Sequence, residues 1–175
     1  MNVPENAAVK KALKSWGPSI VKPGLSRPAL THLIPLADGR HAWTNGFMVE
    51  VTSTPDPRLD ISLKPPVSDG VPSISAQLVR LLSNAPRTNE LTITGTHLSP
   101  SPYSQVDVCI VFADAKGTRW AIARDYVAYL HRRYPDATWY GKQPLGALGV
   151  VNAGEIVALV MPVNVVWSGK EDAAA

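Results

Sequence analysis

The feature that most constrains the fold is a change in hydrophobic period between residues 106 and 134. In the first part every second residue is apolar, at Val106, Val108, Ile110 and Phe112. This two-residue period predicts a β-strand with one buried face. The apolar spacing then lengthens to three or four residues, at Ala123, Val127, Leu130 and Tyr134. That spacing predicts a helix, and Pro135 is expected to end it because proline has no N–H to donate within a helix.

Short strands are predicted on both sides of this helix. Asp114 to Gly117 is typical of a hairpin turn, which lets 118–122 pair back on the preceding strand. Three further strands are predicted after Pro135, at 138–140, 147–151 and 155–163, with a turn at Asn152-Ala153-Gly154 between the last two. The segment 106–163 is therefore predicted to run strand, strand, helix and three strands.

The first hundred residues predict a similar order of elements, a helix followed by antiparallel strands. A helix is expected over 5–16, where Val9, Leu13 and Trp16 recur about one turn apart. Asp38-Gly39 predicts a hairpin turn between strands at 29–36 and 41–51, with Asn45-Gly46 as a bulge or a second turn. Further elements are expected in this order: a strand at 59–63, a helix at 74–82 capped by Ser73 or Ser75, a strand at 91–95 and an exposed loop at 97–104.

These patterns predict an α+β protein with helices packed on one face of antiparallel sheets. They predict one domain over 1–168. Its first half is 1–64, its middle helix and loops are 65–104, and its second half is 105–168. Residues 169–175 are expected to form a disordered tail.

Composition narrows the class of protein. The chain has 175 residues, a single cysteine and a net charge of +3. One cysteine cannot form a disulfide within the chain, so the reducing cytoplasm is the expected location. The longest apolar run has the length of a strand, so no membrane partner is expected. The mild positive charge permits contact with nucleic acid without requiring it.

Four phrases of the sequence resemble the bacterial DNA sliding clamp family, the β subunit of DNA polymerase III. They lie at 42–49 (AWTNGFMV), 125–130 (DYVAYL), 143–148 (QPLGAL) and 160–163 (VMPV). The resemblance implies a DNA-clamp-like domain with helices inside and sheets outside, and a non-enzymatic role in DNA replication. The chain has about half the length of a three-domain clamp subunit. Encircling DNA would therefore need a homo-oligomer, formed by pairing of sheet edges.

The resemblance also implies two binding surfaces. Basic residues that lie off the apolar stripes of the helices would contact the backbone of double-stranded DNA without reading its sequence. They are Lys10, Lys14, Arg80, Arg124 and Arg132. A groove for a peptide of a polymerase or another host protein would be lined by Thr44, Gly46, Phe47, Met48, Met161, Pro162 and Val163. Each surface has a plainer alternative: solvated helix faces for the first set and buried core positions for the second.

Departures from the family's phrases keep a second function open. Asn45, Phe47, Met48 and Asn164 stand where the family carries other residues. The alternative is a phage or mobile-element interaction or inhibitor protein that uses a clamp-like fold to bind a host protein.

Catalytic chemistry is not predicted. The four histidines are scattered without metal-ligand spacing, and Cys109 is expected to be a buried structural thiol. The chain is therefore predicted not to be an enzyme, with no catalytic residue, metal or cofactor.

Overall fold

The computed structural model of the protein describes residues 6–14, 32–59, 61–63, 70–98, 108–165 and 167. Within this part the helices are α1 (Ala7–Lys14), α2 (Val71–Ser83) and α3 (Arg124–Arg133). The strands are β1 (Ile34–Pro35), β2 (His41–Thr44), β3 (Met48–Val51), β4 (Glu90–Leu98), β5 (Val108–Ala113), β6 (Arg119–Ala123), β7 (Thr138–Tyr140), β8 (Leu148–Asn152) and β9 (Glu155–Val160). Across the described ranges, no helix is both long enough and apolar enough to cross a membrane.

The strands form one antiparallel sheet in the order β1-β2-β3-β9-β8-β7-β4-β5-β6. Strands β3 and β9 are far apart in sequence, yet Met48 lies opposite Val160. Just beyond β9, the backbone N–H of Val163 donates to the carbonyl oxygen of Ala121 in β6 at 2.7 Å. Because β6 is the far edge of the sheet, the six strands from β9 to β6 must curl until that edge meets the continuation of β9.

Apolar side chains form two cores on opposite faces of the sheet. The larger core lies inside the curl, between the strands and helices α1 and α3. The second core lies between α2 and the strands β1, β2, β3 and β9. Neighbours in β2 point to different cores, Trp43 to the larger and Ala42 to the second, as a two-residue period requires. The mixed class and the antiparallel sheet are confirmed, but the prediction that the helices share one face is wrong for α2.

Local sequence signals explain where α1 begins and where α3 ends. The side chain of Asn6 accepts a hydrogen bond from the N–H of Ala8 at 2.9 Å, so it caps the start of α1. Helix α3 buries Val127 and Leu130 completely, as its predicted stripe requires. It ends at Arg133, two residues before Pro135. The start of α1, and the buried side and the end of α3, therefore follow from patterns visible in the sequence.

The segment 41–51 folds back on itself instead of forming one return strand. Strand β2 ends at Thr44, and β3 begins at Met48. The Asn45 side chain accepts hydrogen bonds from the N–H groups of Phe47 and Met48, at 2.9 and 2.8 Å. Gly46 has φ of +92°, a conformation that favours glycine. The alternative of a second turn at Asn45-Gly46 is confirmed.

Three other local predictions are wrong. The described residues of 59–63 contribute only an isolated bridge between Ser62 and His32, not a strand. Helix α2 starts after Gly70 with no side-chain cap. Strand β4 continues to Leu98, so His97 is buried in the sheet and not part of an exposed loop. The predicted loop positions 65–69 and 99–104 and the tail at 169–175 lie outside the described residues.

Candidate nucleic-acid interface

Helices α1 and α3 pack beside each other over the larger core. In α1 the buried residues are Val9 and Leu13, so the helical period turns the three lysines of this helix away from the core. Lys10, Lys11 and Lys14 are all exposed. Within the described ranges, no salt bridge involves any of the three. Their charge therefore faces solvent from one side of α1.

Helix α3, which packs beside α1, adds two arginines to this solvent-facing surface. Arg132 is exposed, on the side of α3 that faces away from Val127 and Leu130. Arg124 is partly exposed and makes an ion pair with Asp125 at 3.0 Å. The outer surface of the two helices, formed by Lys10, Lys11, Lys14, Arg124, Asp125 and Arg132, is called the basic face below.

The side chains of α1 and α3 together carry a strongly positive charge. Helices α1 and α3 together carry six lysine and arginine side chains and one carboxylate, that of Asp125. His131 is half-buried, and desolvation lowers its pKa, so it stays neutral at pH 7 and does not add to this charge. Since the whole chain has a net charge of only +3, the two helices hold positive charge that is balanced elsewhere in the chain.

The structure brings together four of the five basic residues predicted to contact DNA: Lys10, Lys14, Arg124 and Arg132. Arg80 does not join them, because it lies in α2, on the opposite face of the sheet. The sequence-based prediction omits Lys11, although it follows Lys10 directly and is also exposed.

A buried carboxylate holds α3 in this orientation. Glu50 in β3 has no exposed surface. One of its oxygens accepts hydrogen bonds from the indole N–H of Trp43 and the hydroxyl of Tyr129, both at 2.5 Å. The other oxygen accepts from the Arg133 guanidinium at 2.9 Å and the Tyr134 hydroxyl at 2.8 Å. Three of these four donors belong to α3 or the residue after it, so the contact joins the helix to β3.

Arg133 is committed to this network and does not belong to the basic face. Besides Glu50, its guanidinium donates to the hydroxyl oxygen of Thr52 at 3.2 Å and the carbonyl oxygen of Thr54 at 3.0 Å. A guanidinium presents five N–H donors in a planar fork, which suits this set of three acceptors. Arg133 is therefore not counted among the residues of the basic face, which has the other five cations of the two helices.

The network also shifts the ionisation of its tyrosines. Burial raises the pKa of Tyr129 and of Tyr134 above the ordinary value, and the charge of Glu50 raises both further. Both hydroxyls therefore stay protonated and able to donate at neutral pH. The sequence carried only a weak signal for this network, an acidic residue inside the apolar run of β3.

The predicted peptide groove is only partly assembled. The N–H of Met161 donates to the carbonyl oxygen of Phe47 at 2.8 Å, which places the two residues side by side. Met161 is 44% exposed and Phe47 is 63% exposed. This pair is called the apolar pair below. Thr44 and Met48 are buried, Met48 in the larger core, so neither can contact a partner at the surface.

The remaining groove residues have other surroundings. Gly46 is exposed at the tip of the β2–β3 turn, next to Phe47. Pro162 and Val163 line a separate cavity beside β6. The hydroxyl of Tyr126 accepts a hydrogen bond from the Asn45 amide at 3.2 Å, so the tip of the turn touches the first turn of α3. The apolar pair therefore lies near the first turn of α3, which also carries Arg124 of the basic face.

Metal-ligating side chains are not brought together in the described part. No cluster of three histidine, cysteine, aspartate or glutamate side chains is close enough there to hold a metal ion. Cys109 is buried, and burial raises the pKa of its thiol to about 11. A thiol that stays protonated at neutral pH is a poor nucleophile.

No protein-family model, curated protein or solved structure matches this chain.

Proposed function

We propose that this protein is a non-enzymatic, clamp-like accessory protein that binds the backbone of double-stranded DNA through its basic face. The observation that carries the proposal is the concentration of five cationic side chains on the outer surface of α1 and α3, two helices in which Asp125 is the one carboxylate. Such a surface attracts phosphates, and association is favoured by release of the counterions that DNA holds.

The geometry supports backbone contact more than sequence reading. The cations lie on two helices that are held against the core, and among the described elements no strand or helix projects from them. Reading sequence needs an element that enters a groove and presents side chains to base edges. Lysines and arginines on a broad face contact phosphates instead, and those contacts are nearly indifferent to sequence.

The test is fluorescence anisotropy with two short DNA duplexes of unrelated sequence over a series of salt concentrations. We expect similar affinity for both duplexes. If all five cations contact phosphates, the logarithm of the affinity should fall with the logarithm of salt with a slope of about −4 to −5. The paired substitution Lys10→Glu and Lys14→Glu should reduce the steepness of that slope by about 2.

A matched control is available in α2. Arg80→Glu makes the same kind of charge change on the opposite face of the sheet, so it should leave binding unchanged. Equal losses from Arg80→Glu and Arg132→Glu would mean that net charge, and not the basic face, governs binding. No binding at low salt would reject the DNA proposal.

Self-association is a separate part of the clamp-like proposal. Only short sheet edges are offered by the described strands: β1 has two residues, one of them Pro35, and β6 is bridged by Val163. One copy can bind DNA on the basic face, but encirclement would need several copies. Mass photometry with and without duplex distinguishes the two cases, because a ring requires an oligomer and a contact surface does not.

A second candidate is an interaction or inhibitor protein, phage- or mobile-element-encoded, that binds a polymerase or another host protein. The observation that favours it is the apolar pair, two large side chains exposed next to each other at the end of β3 and β9. Adjacent exposed apolar side chains commonly mark contact sites. Pull-down from a bacterial lysate should recover a protein that is lost with the double substitution Phe47→Ser and Met161→Ser. Recovery of polymerase subunits would support the replication role, and recovery of a defence or regulatory protein would support the inhibitor role.

A further inference from the structure

The turn between β2 and β3 contains Asn45-Gly46, the one place in the chain where an asparagine precedes a glycine. Asparagine is a thermolabile residue. It is most labile before glycine, which has no side chain to keep the next backbone nitrogen away from the asparagine carboxamide. Every other asparagine of the chain precedes alanine, valine or glutamate, whose side chains hinder that approach. In the unfolded chain, Asn45 is therefore the asparagine that loses its amide group fastest.

The reaction uses only the chain and water. The backbone nitrogen of Gly46 attacks Cγ of Asn45, so that a C–N bond forms between them and the bond from Cγ to Nδ2 breaks. The amide proton of Gly46 leaves with Nδ2 as ammonia, and a cyclic succinimide remains. Water then opens this ring at either carbonyl carbon, which leaves aspartate or isoaspartate at position 45. Either product adds one negative charge to the turn.

The folded turn holds the attacking nitrogen. The N–H of Gly46 donates a hydrogen bond to the hydroxyl oxygen of Thr44 at 3.0 Å. Thr44 is only 8% exposed, so its hydroxyl is fixed in the packed structure. The Gly46 nitrogen can attack only after its proton is lost, and this hydrogen bond keeps the proton from hydroxide in the solvent. The attacking group is therefore protected while the turn is closed.

The folded turn also holds the carboxamide that would be attacked. Its oxygen accepts hydrogen bonds from the N–H groups of Phe47 and Met48, at 2.9 and 2.8 Å. Its nitrogen donates to the hydroxyl of Tyr126 in α3 at 3.2 Å. These bonds join one small side chain to both β3 and α3, so the carboxamide of Asn45 keeps one orientation. It can rotate onto the Gly46 nitrogen only when they break.

We propose that Asn45 is a self-modification site, at which the chain converts asparagine to aspartate or isoaspartate at a rate set by opening of the β2–β3 turn. The aspartate product keeps oxygen acceptors for the N–H groups of Phe47 and Met48. Isoaspartate instead places Cβ in the main chain, so the turn gains an atom and no longer fits between β2 and β3. That product loses the contact with Tyr126, and the conversion is irreversible.

The test follows the conversion in the native protein and in the protein unfolded in guanidinium chloride, at the same mildly alkaline pH and temperature. Mass spectrometry of chromatographically separated tryptic peptides measures aspartate and isoaspartate at position 45. The native protein should react about tenfold or more slowly, because opening the turn breaks several hydrogen bonds. NMR of amide hydrogen exchange measures the open fraction independently. The slowing of the conversion should equal the protection of the Gly46 N–H against exchange.

Variants separate the turn from the rest of the molecule. Thr44→Val removes the acceptor of the Gly46 N–H, and Tyr126→Phe removes the acceptor of the Asn45 amide. Each should speed the native reaction and leave the rate in the unfolded chain unchanged. The matched control is Thr92→Val, in a strand separated from β3 by three others, where the hydroxyl bonds a carbonyl oxygen of the next strand. It should change neither rate.

Several outcomes would overturn the proposal. Equal rates in the native and the unfolded protein, or slowing far smaller than the protection of the Gly46 N–H, would show that the turn does not control the reaction. Unchanged native rates in both Thr44→Val and Tyr126→Phe would do the same. Faster conversion at another asparagine of the unfolded chain would overturn the choice of site. The comparison on the unaltered protein needs no variant, and none of these results depends on whether the basic face binds DNA.

Discussion

The ion pair between Glu50 and Arg133 offers the most direct test of how α3 is held. Replacing Arg133 with methionine keeps the length of the side chain but leaves a completely buried carboxylate without its cation. Removing one partner of a buried ion pair costs about 3–5 kcal/mol of unfolding free energy. The Arg133 side chain is 23% exposed, and the donors on Trp43, Tyr129 and Tyr134 still bind the carboxylate. We therefore expect a loss of about 2–3 kcal/mol for this variant.

Replacing Glu50 itself should cost more. Glu50→Gln removes the charge and leaves one acceptor oxygen where four donors converge. The amide N–H₂ group then meets donors, so at least one donor loses its partner, and Arg133 loses its counterion. We expect a loss of about 3–5 kcal/mol, a large share of the roughly 5–15 kcal/mol that stabilises a typical domain.

Urea denaturation followed by tryptophan fluorescence and circular dichroism measures both losses. The matched control is Arg132→Met, an exposed position in the same turn of α3, where we expect a change within about 0.5 kcal/mol. A double-mutant cycle of Glu50→Gln with Arg133→Met should give a coupling energy of about 1–3 kcal/mol. If Arg133→Met and Arg132→Met had the same effect on stability, the reasoning about the network would be refuted.

Three further predictions concern pH, packing and thiol chemistry. Folding raises the pKa of Tyr129 and Tyr134 above 10.0, so the unfolded chain loses these protons first. The contribution of the two tyrosines to stability should be constant below about pH 9 and should fall as the pH rises past 10. A double phenylalanine variant should flatten that fall in an alkaline denaturation series. Gly149→Ala should lower the unfolding free energy measured in urea by about 1–3 kcal/mol, because the new methyl group would lie 2.3 Å from the backbone carbonyl oxygen of Pro86, in the loop after α2. The control Gly95→Ala should change stability little, because no atom lies within 4 Å of its new methyl group. The Cys109 thiol, buried and with a pKa of about 11, should react with an aromatic disulfide reagent at pH 8 only after denaturation; fast reaction in the folded state would contradict the burial.

Local patterns were sufficient to predict most helices and strands. The period of Val127 and Leu130 with the stop at Pro135 predicts α3 to within one or two residues at each end. Glycine turns at Gly39 and Gly46 mark hairpins because few other residues adopt their positive φ. These signals act over a few residues, so they are readable without knowledge of the fold.

Features that depend on distant contacts could not be predicted in this way. The apolar stripe of α2 shows that the helix is buried on one side but not which face of the sheet it covers, so Arg80 was grouped with the wrong helices. His97 looks like a loop residue, yet its ring lies 5.4 Å from that of Trp167, which comes much later in the chain. The partners of Glu50 on α3 follow it by 79 to 84 residues.

The pairing of β3 with β9 sets an order for the assembly of the molecule during synthesis. Met48 emerges from the ribosome more than a hundred residues before Val160, its partner across the sheet. Until then β1, β2 and β3 can pair only with one another and pack against α2, so the edge of β3 that pairs with β9 stays open. Contacts of such long sequence separation form late and slowly. During synthesis the edge of β3 is therefore available to other strands until β9, the last strand that the structure describes, has been made.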